Sequence, residues 1–355
     1  MLQYSVEKRT FVFKTPGGTS RGVLTEKQAW FIRLWDENNP EAIGLGECSI
    51  IPGLSPDFKD EAGYEADIHS ACGELLSFHD YSTLEEQDLL NFWFFDKLRS
   101  KPSILFGLEC AILDLLQGGK AFFYNTAFTR GEKAIPINGL IWMGSESFMQ
   151  EQIQQKIAEG FNCIKLKIGA IDFETEFALL AQIRERFSAA ELILRVDANG
   201  AFGYEEGLQN MQRLAELDIH SIEQPIRAGN WVKMASLCRE TPLPIALDEE
   251  LIGVYQPEEK KRLLDMVRPQ FIILKPSLHG GICGTSEWIK LAEEREIPWW
   301  MTSALESNVG LNAIAQFTST FDNPLHQGLG TGSLYIENTP TDLVVEKGFL
   351  KKIPV

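Results

Sequence analysis

The sequence predicts an α/β protein in which a closed parallel (β/α) barrel of the TIM type follows a smaller α+β domain. Two observations lead there. From Ala134 onward an apolar strand-like run followed by an amphipathic helical stretch recurs eight times in about 195 residues, and eight alternating units favour a closed barrel over an open sheet. The glycine clusters at Gly328–Gly332 and Gly280–Gly284 do not fit a Gly-x-Gly-x-x-Gly turn after an early strand, which argues against an open dinucleotide-binding sheet.

Residues 1–130 form the expected α+β domain. Phe11–Phe13, Trp30–Trp35 and Ile43–Glu47 read as short strands, separated by the turn-rich segments Thr15–Thr19 and Asp36–Pro40. Glu61–Leu76, Leu84–Leu98 and Ser103–Leu116 read as helices, so a meander leads into a helical bundle. The barrel is expected over 131–330. Ile135–Ile141 begins it, and Ser147 with Gln150 suggests a capping box for a helix that carries Met149, Ile153 and Ile157 and ends at Gly160. Asn162–Ile168 follows, then a helix from Asp172 with Phe173, Phe177 and Leu180 on one stripe. Glu191–Val196, His220–Gln224, Pro244–Asp248, Phe271–Lys275, Pro298–Thr302 and His326–Gly330 are the remaining strands. The intervening helices are clearest at Tyr204–Leu217, Pro257–Leu264, Thr285–Arg295 and Val309–Phe317.

Composition narrows the function. The 355 residues are 44% hydrophobic and 23% charged, ordinary for a chain with a substantial core. A net charge of −17 opposes binding to nucleic acid and to anionic membranes. Residues Met1 to Lys14 mix charged and apolar side chains, unlike a secretory signal, and no apolar run is long enough to span a bilayer. Six scattered cysteines without a Cys-x-x-Cys pair suggest reduced thiols and a cytoplasmic setting. An oligomer is possible, but barrel outer faces and interfaces share one composition, so no assembly state is specified.

Barrel enzymes carry reacting groups at the carboxyl ends of their strands. Here the apolar runs close in Lys165-Leu-Lys167, Asp197, Glu223, Asp248-Glu249 and Lys275. From Lys167 through Asp197, Glu223 and Asp248 to Lys275 the steps are 30, 26, 25 and 27 residues, one βα unit each, which places them on one rim. Three neighbouring acids repel one another unless a cation lies between them. Mg²⁺, with Mn²⁺ also acceptable, suits the all-oxygen set Asp197, Glu223 and Asp248, whereas the absence of His or Cys beside them disfavours zinc. Lys165 and Lys167 are two apart and face the same way, so crowding two ammonium groups is expected to lower at least one pKa and make a general base. Lys275 would face the substrate from the opposite side. A polarised carboxylate beside a lysine is equipment for removing a proton α to a carboxylate and stabilising the enediolate, so a small carboxylate is the expected substrate.

With these motifs in order, the chain resembles the enolase superfamily over nearly its whole length, and within it the muconate-lactonizing subgroup. The resemblance implies a modified barrel and a capping domain to which the segment 331–355 returns. Gly44–Gly53, Pro136–Met143 and Thr302–Leu311 are most similar to the o-succinylbenzoate synthase family. That likeness implies a dehydratase of menaquinone biosynthesis converting 2-succinyl-6-hydroxy-2,4-cyclohexadiene-1-carboxylate to 2-succinylbenzoate. Lys167 would remove the α-proton, Lys165 would tune it and Lys275 would stabilise the enediolate. Asn199 and Glu249 would hold the metal-binding carboxylates or the lysines by hydrogen bonds. Ser303, Pro52 and Gly53 would approach the substrate, with Gly46–Ser55 closing over the pocket; Ser303 reads equally as a cap for the seventh barrel helix. His279 reads as structural or exposed.

Two alternatives stay open. An N-succinylamino acid racemase or related epimerase would use Lys167 and Lys275 as opposed bases, although the Asp-x-Asp that grips a dipeptide amine is absent from this sequence. A non-catalytic binding barrel should have lost a ligand or a base, and all six positions are filled.

Overall fold

The chain begins as a three-stranded antiparallel meander, β1 (Leu2–Thr19), β2 (Gly22–Asp36) and β3 (Asn39–Ser49), in the computed structural model, which describes residues 1–19, 22–77 and 96–353. These strands are much longer than the apolar runs that predicted them. Their outer residues are exposed, and backbone pairing from Leu2↔Asp36 to Val12↔Glu26 carries the ladder past the buried positions. Thr15–Thr19 belongs to the hairpin tip, where the register shifts between Val12 and Gly17. Of the predicted helices, α1 (Glu61–Leu76) and α2 (Pro102–Leu116) form. Most of Leu84–Leu98 lies outside the described residues.

The helix α2 lies directly on β3. A methyl group at Gly44 would overlap the carbonyl oxygen of Ala111, and one at Gly46 that of Gly107. Gly107 faces Cys48 with equally little room. The Gly-x-Gly spacing therefore puts both hydrogen-only faces on the side of the strand that meets the helix backbone. Lys101 gives α2 no side-chain cap; the half-buried Asp57 supplies one from a distance, accepting Ser103 N at 2.9 Å, Ile104 N at 3.3 Å and Ser103 Oγ at 2.7 Å.

The second unit is a parallel sheet in chain order: β5 (Gly139–Ile141), β6 (Cys163–Lys167), β7 (Ile193–Asp197), β8 (Ser221–Glu223), β9 (Ile245–Leu247), β10 (Phe271–Leu274) and β11 (Trp299–Met301). The eighth predicted strand, His326–Gly330, is reduced to two bridges. Gln327 pairs with Ile137 before β5 and Gly328 with Thr302 after β11, so the segment touches both edges and closes the ring. Seven helices follow the seven strands: α3 (Glu146–Ala158), α4 (Phe173–Arg186), α5 (Tyr204–Ala215), α6 (Trp231–Glu240), α7 (Pro257–Val267), α8 (Gly281–Glu293) and α9 (Asn308–Thr318). Among the described residues no eighth helix follows. A 3₁₀ turn at Thr331–Ser333 leads the chain away, and this corrects the expectation of eight complete units.

The departing segment reaches the meander. Lys14 N donates to Leu334 O, Ile336 N donates to Val12 O, and Tyr335 packs on Phe11 and Phe13. It then forms the hairpin β12 (Leu343–Glu346) and β13 (Phe349–Lys352), which pairs with β4 (Ile135–Pro136). The predicted run Ile135–Ile141 is thus divided between two sheets. The α3 cap also differs from expectation: Ser145, with φ −65° and ψ 157°, accepts the Phe148 N–H, whereas Ser147 lies within the first turn.

Beneath the rim, Arg195 fills the barrel floor. Its guanidinium lies 3.9 Å from the Trp300 ring centroid and donates to the His326 carbonyl. Among the described residues no helix is long and apolar enough to cross a membrane, and all six cysteines are buried and free.

Because the β3–α2 contact has no space for a side chain, Gly46→Ala is expected to destabilise the fold by about 3 kcal/mol, at the upper end of overpacking costs. Chemical denaturation followed by circular dichroism measures it; a loss under about 0.5 kcal/mol would show that the helix can shift.

Candidate active site

Strand periodicity builds the site. Along β6, Ile164 and Leu166 join the hydrophobic core behind the sheet, which turns Lys165 and Lys167 inward. In the parallel register Lys167 stands opposite Asp197, and Asp197 opposite Glu223, so three charged groups meet on adjacent strands. Asp248 and Lys275 come immediately after β9 and β10. All six side chains are buried.

They form one ionic cluster. Lys165 Nζ is 3.0 Å from Asp197 Oδ2 and 2.7 Å from Glu223 Oε2. Lys167 Nζ is 2.5 Å from Asp197 Oδ2 and donates to Asn199 Oδ1 at 2.9 Å. Lys275 Nζ bonds Asp248 Oδ2 and lies 3.9 Å from Glu223 Oε1. Burial opposes charge on Asp197, but Lys167 and Lys165 overcome it and hold the carboxyl well below its usual range. Asp248 is also lowered, with Lys275 outweighing burial. Glu223 is not: burial and the neighbouring Asp197 raise it despite Lys165.

Lys165 is not the lysine that crowding lowers. Burial pulls Lys165 down, but Glu223 and Asp197 more than compensate and hold it above the ordinary lysine value. Crowded ammonium groups lower one another only where carboxylates do not intervene, and here two of them do.

The donor set fits a hard divalent cation. Glu223 Oε1 and Asp248 Oδ1 are buried carboxylate oxygens without a hydrogen-bond donor, and Glu223 still lacks sufficient positive charge. Among the described residues no three acidic, histidine or cysteine side chains stand in a finished metal cage, because the carboxylates are turned onto the lysines. Asp197, Glu223 and Asp248 could hold the ion once those pairs loosen.

A supporting layer surrounds the cluster. Asn199, at φ +46°, donates its backbone N–H to Asp197 Oδ1 and its side-chain amide to Glu249 Oε1 at 3.1 Å, while its oxygen receives Lys167. Asparagine tolerates this left-handed backbone better than most residues. Gln224, read from the sequence only as the end of a barrel strand, accepts Asp248 N and Glu250 N and so fixes the end of β9. His279 is buried, and its Nδ1 accepts the Lys275 N–H at 3.0 Å.

Above the lysines opens a cavity of about 630 Å³. Lys165, Lys167, Lys275, Asn199 and Ser303 line it, with Pro52 and Gly53 from the first domain. The loop expectation is narrowed: Gly46–Ser49 belongs to β3, and the cavity wall is Ile51–Leu54, a turn closed by Leu54 N to Ile51 O and Ile51 N to Ser55 Oγ. Ser303 does not cap α9. That cap is Ser307, while Ser303 Oγ bonds Glu306 Oε2 at 2.7 Å. Trp142, Phe148 and the hairpin tip with Lys14 and Leu24 also line the cavity. Trp142 falls in the segment Pro136–Met143 that carried the resemblance, whereas the sequence carried no signal for Phe148, Lys14 and Leu24, which come from segments distant in the chain and share no motif.

Residues 148–352 match the family described as enolase C-terminal domain-like. The chain is 49% identical to an o-succinylbenzoate synthase of Desulfotalea psychrophila, over 98% of each chain. It is 34% identical to an N-succinylamino acid racemase of Thermus thermophilus over 44% of this chain and 40% of the racemase. The crystal structure of MenC from Desulfotalea psychrophila superposes with a TM-score of 0.84 at 46% identity, covering 99% of both chains. The L-Ala-D/L-Glu epimerase of Bacillus subtilis shares the fold at a TM-score of 0.81 and 19% identity, over 99% of this chain and 96% of that one. A barrel with acids and lysines at successive strand ends, a meander packed over its mouth and these likenesses together make the chain a member of the enolase C-terminal domain-like family, within the enolase superfamily.

Proposed function

We propose that this chain is a Mg²⁺-dependent hydro-lyase, an o-succinylbenzoate synthase that converts 2-succinyl-6-hydroxy-2,4-cyclohexadiene-1-carboxylate to 2-succinylbenzoate and water in menaquinone biosynthesis. The observation that carries the choice is the 49% identity to an o-succinylbenzoate synthase across 98% of both chains. The lysine arrangement alone also suits a racemase, but the likeness to one spans less than half of this chain. The buried free thiols favour a cytoplasmic setting.

Asp197, Glu223 and Asp248 would hold the metal, which when bound draws charge from the substrate carboxylate and makes the α-hydrogen acidic. Lys167, at the end of β6, takes that proton on Nζ, and the electron pair of the broken C–H bond passes into the carboxylate as an enediolate. Lys275, on the far side, stays an ammonium ion and stabilises the negative charge. As the enediolate collapses, the β-C–O bond breaks and Lys167 returns its proton to the departing hydroxyl, releasing water and an aromatic ring. Lys165, between Asp197 and Glu223, keeps those carboxylates in place beside Lys167. Trp142, Phe148 and Leu24 offer an apolar wall for the ring, and the turn Ile51–Leu54 limits access of water.

Purified protein with Mg²⁺ should aromatise the cyclohexadiene, seen as growth of the 2-succinylbenzoate absorbance, and chelation should stop it. Deuterium entry into an N-succinylamino acid in D₂O without aromatisation would favour the racemase. Lys167→Ala should lower kcat by about 10³-fold or more, the scale of general acid–base catalysis, and full turnover in that variant would defeat the mechanism. Asn199→Ala should weaken divalent-cation affinity about 10-fold to 100-fold by calorimetry, because it orients both a ligand and the base; unchanged affinity would remove it from the metal's support.

A further inference from the structure

Outside the metal cluster lies a second buried polar network that joins both domains. Glu306, fully buried in the loop after β11, accepts Ser277 Oγ on Oε1 at 2.5 Å and Ser303 Oγ on Oε2 at 2.7 Å. Ser277 sits in the tight turn that starts at Lys275, where Leu278 N and His279 N both donate to Lys275 O. Ser303 lines the cavity. One carboxylate therefore ties the turn bearing Lys275 after β10 to the cavity wall after the neighbouring strand β11.

The first domain completes this network. Lys27, from β2, donates to the Ala304 carbonyl, and its charge is attracted by Glu306 and Glu47. Glu47, from β3, accepts Ser307 N at 2.8 Å, Ser307 Oγ at 2.5 Å and Gly310 N at 2.9 Å, which fixes the start of α9. Two buried carboxylates next to each other need a cation, and the nearby one belongs to the domain that covers the cavity.

We propose that Glu306 is a positioning residue for the reaction, holding Lys275 through Ser277 and the Ser303 wall directly, with Lys27 of the covering domain supplying its counter-charge. The inference rests on the dehydratase reading, in which Lys275 stabilises the enediolate. A displaced Lys275 weakens an interaction that matters most in the transition state, so kcat should suffer rather than KM.

The test is steady-state kinetics of the Mg²⁺-loaded enzyme with the cyclohexadiene. Ser277→Ala is expected to lower kcat about tenfold with KM within about twofold, at unchanged metal affinity and with a lowered thermal midpoint from the lost buried hydrogen bond that leaves the enzyme folded at the assay temperature. Glu306→Gln should also lower kcat, and the double variant should be no slower than the worse single one, because both remove the same tie. A Ser277→Ala kcat within twofold of the parent, or losses that multiply in the double variant, overturns the proposal. If Glu306→Gln does not fold, Ser277→Ala decides alone. If the parent itself does not aromatise the substrate, the dehydratase reading has failed. The positioning role is then decided by the crystal structure of Ser277→Ala: a Lys275 that has left Asp248 supports it, and one in its parental place overturns it.

Discussion

Three carboxylates cannot be buried side by side without cations, and the mouth of this barrel is built around that constraint. The parallel register places Lys167, Asp197 and Glu223 directly across from one another on neighbouring strands. Lys165 bridges Asp197 and Glu223, and Lys275 holds Asp248 from the other side. The lysines compensate Asp197 and Asp248 fully and Glu223 only in part, since its carboxyl is raised by burial and by Asp197. The residual demand for positive charge, with undonated oxygens on Glu223 and Asp248, is the physical basis of the expected metal.

The same constraint recurs between the domains. Glu47 and Glu306 are buried near each other, and Lys27 reaches in from the meander to balance them. Burial pulls this lysine down to about 8 against the attraction of the two acids. The meander can lie this close because Gly44, Gly46 and Gly107 let β3 meet α2 backbone to backbone, and because Tyr335 carries the end of the chain back onto Phe11 and Phe13. The covering domain thus supplies charge as well as cavity wall.

Much of the barrel was legible because its periodicity is local. The start of Tyr204–Leu217 was readable from apolar spacing alone, as was Glu61–Leu76 in the first domain, and Asp172, where a helix was expected to begin, caps α4 by accepting Thr175 N. The misses share a cause. Thr15–Thr19 looks like a free turn because pairing with β2 leaves no mark in its own residues. Ser145 and Ser147 are equivalent as letters, and only the backbone angle selects the former as cap. His326–Gly330 looks like another strand, yet it makes single bridges, and the chain then leaves for the meander instead of forming a helix.

The sequence by itself determined which chemical groups meet and in what order. Side chains alternate along a strand and strands repeat once per βα unit, so Lys165, Lys167, Asp197, Glu223, Asp248 and Lys275 were legible as one rim, and the structure brings them together. Only the tertiary structure decided their electrostatic state, because the field at each group is set by neighbours from other strands: Lys165 is raised where crowding with Lys167 suggested lowering. It alone also revealed that Ser303 answers to Glu306, that Gln224 fixes the end of β9, and that Lys27 and Glu47 cross from one domain to the other. Apart from Ser303 and Glu306, which are three residues apart, those contacts join residues far apart in the chain, and no local period encodes any of them.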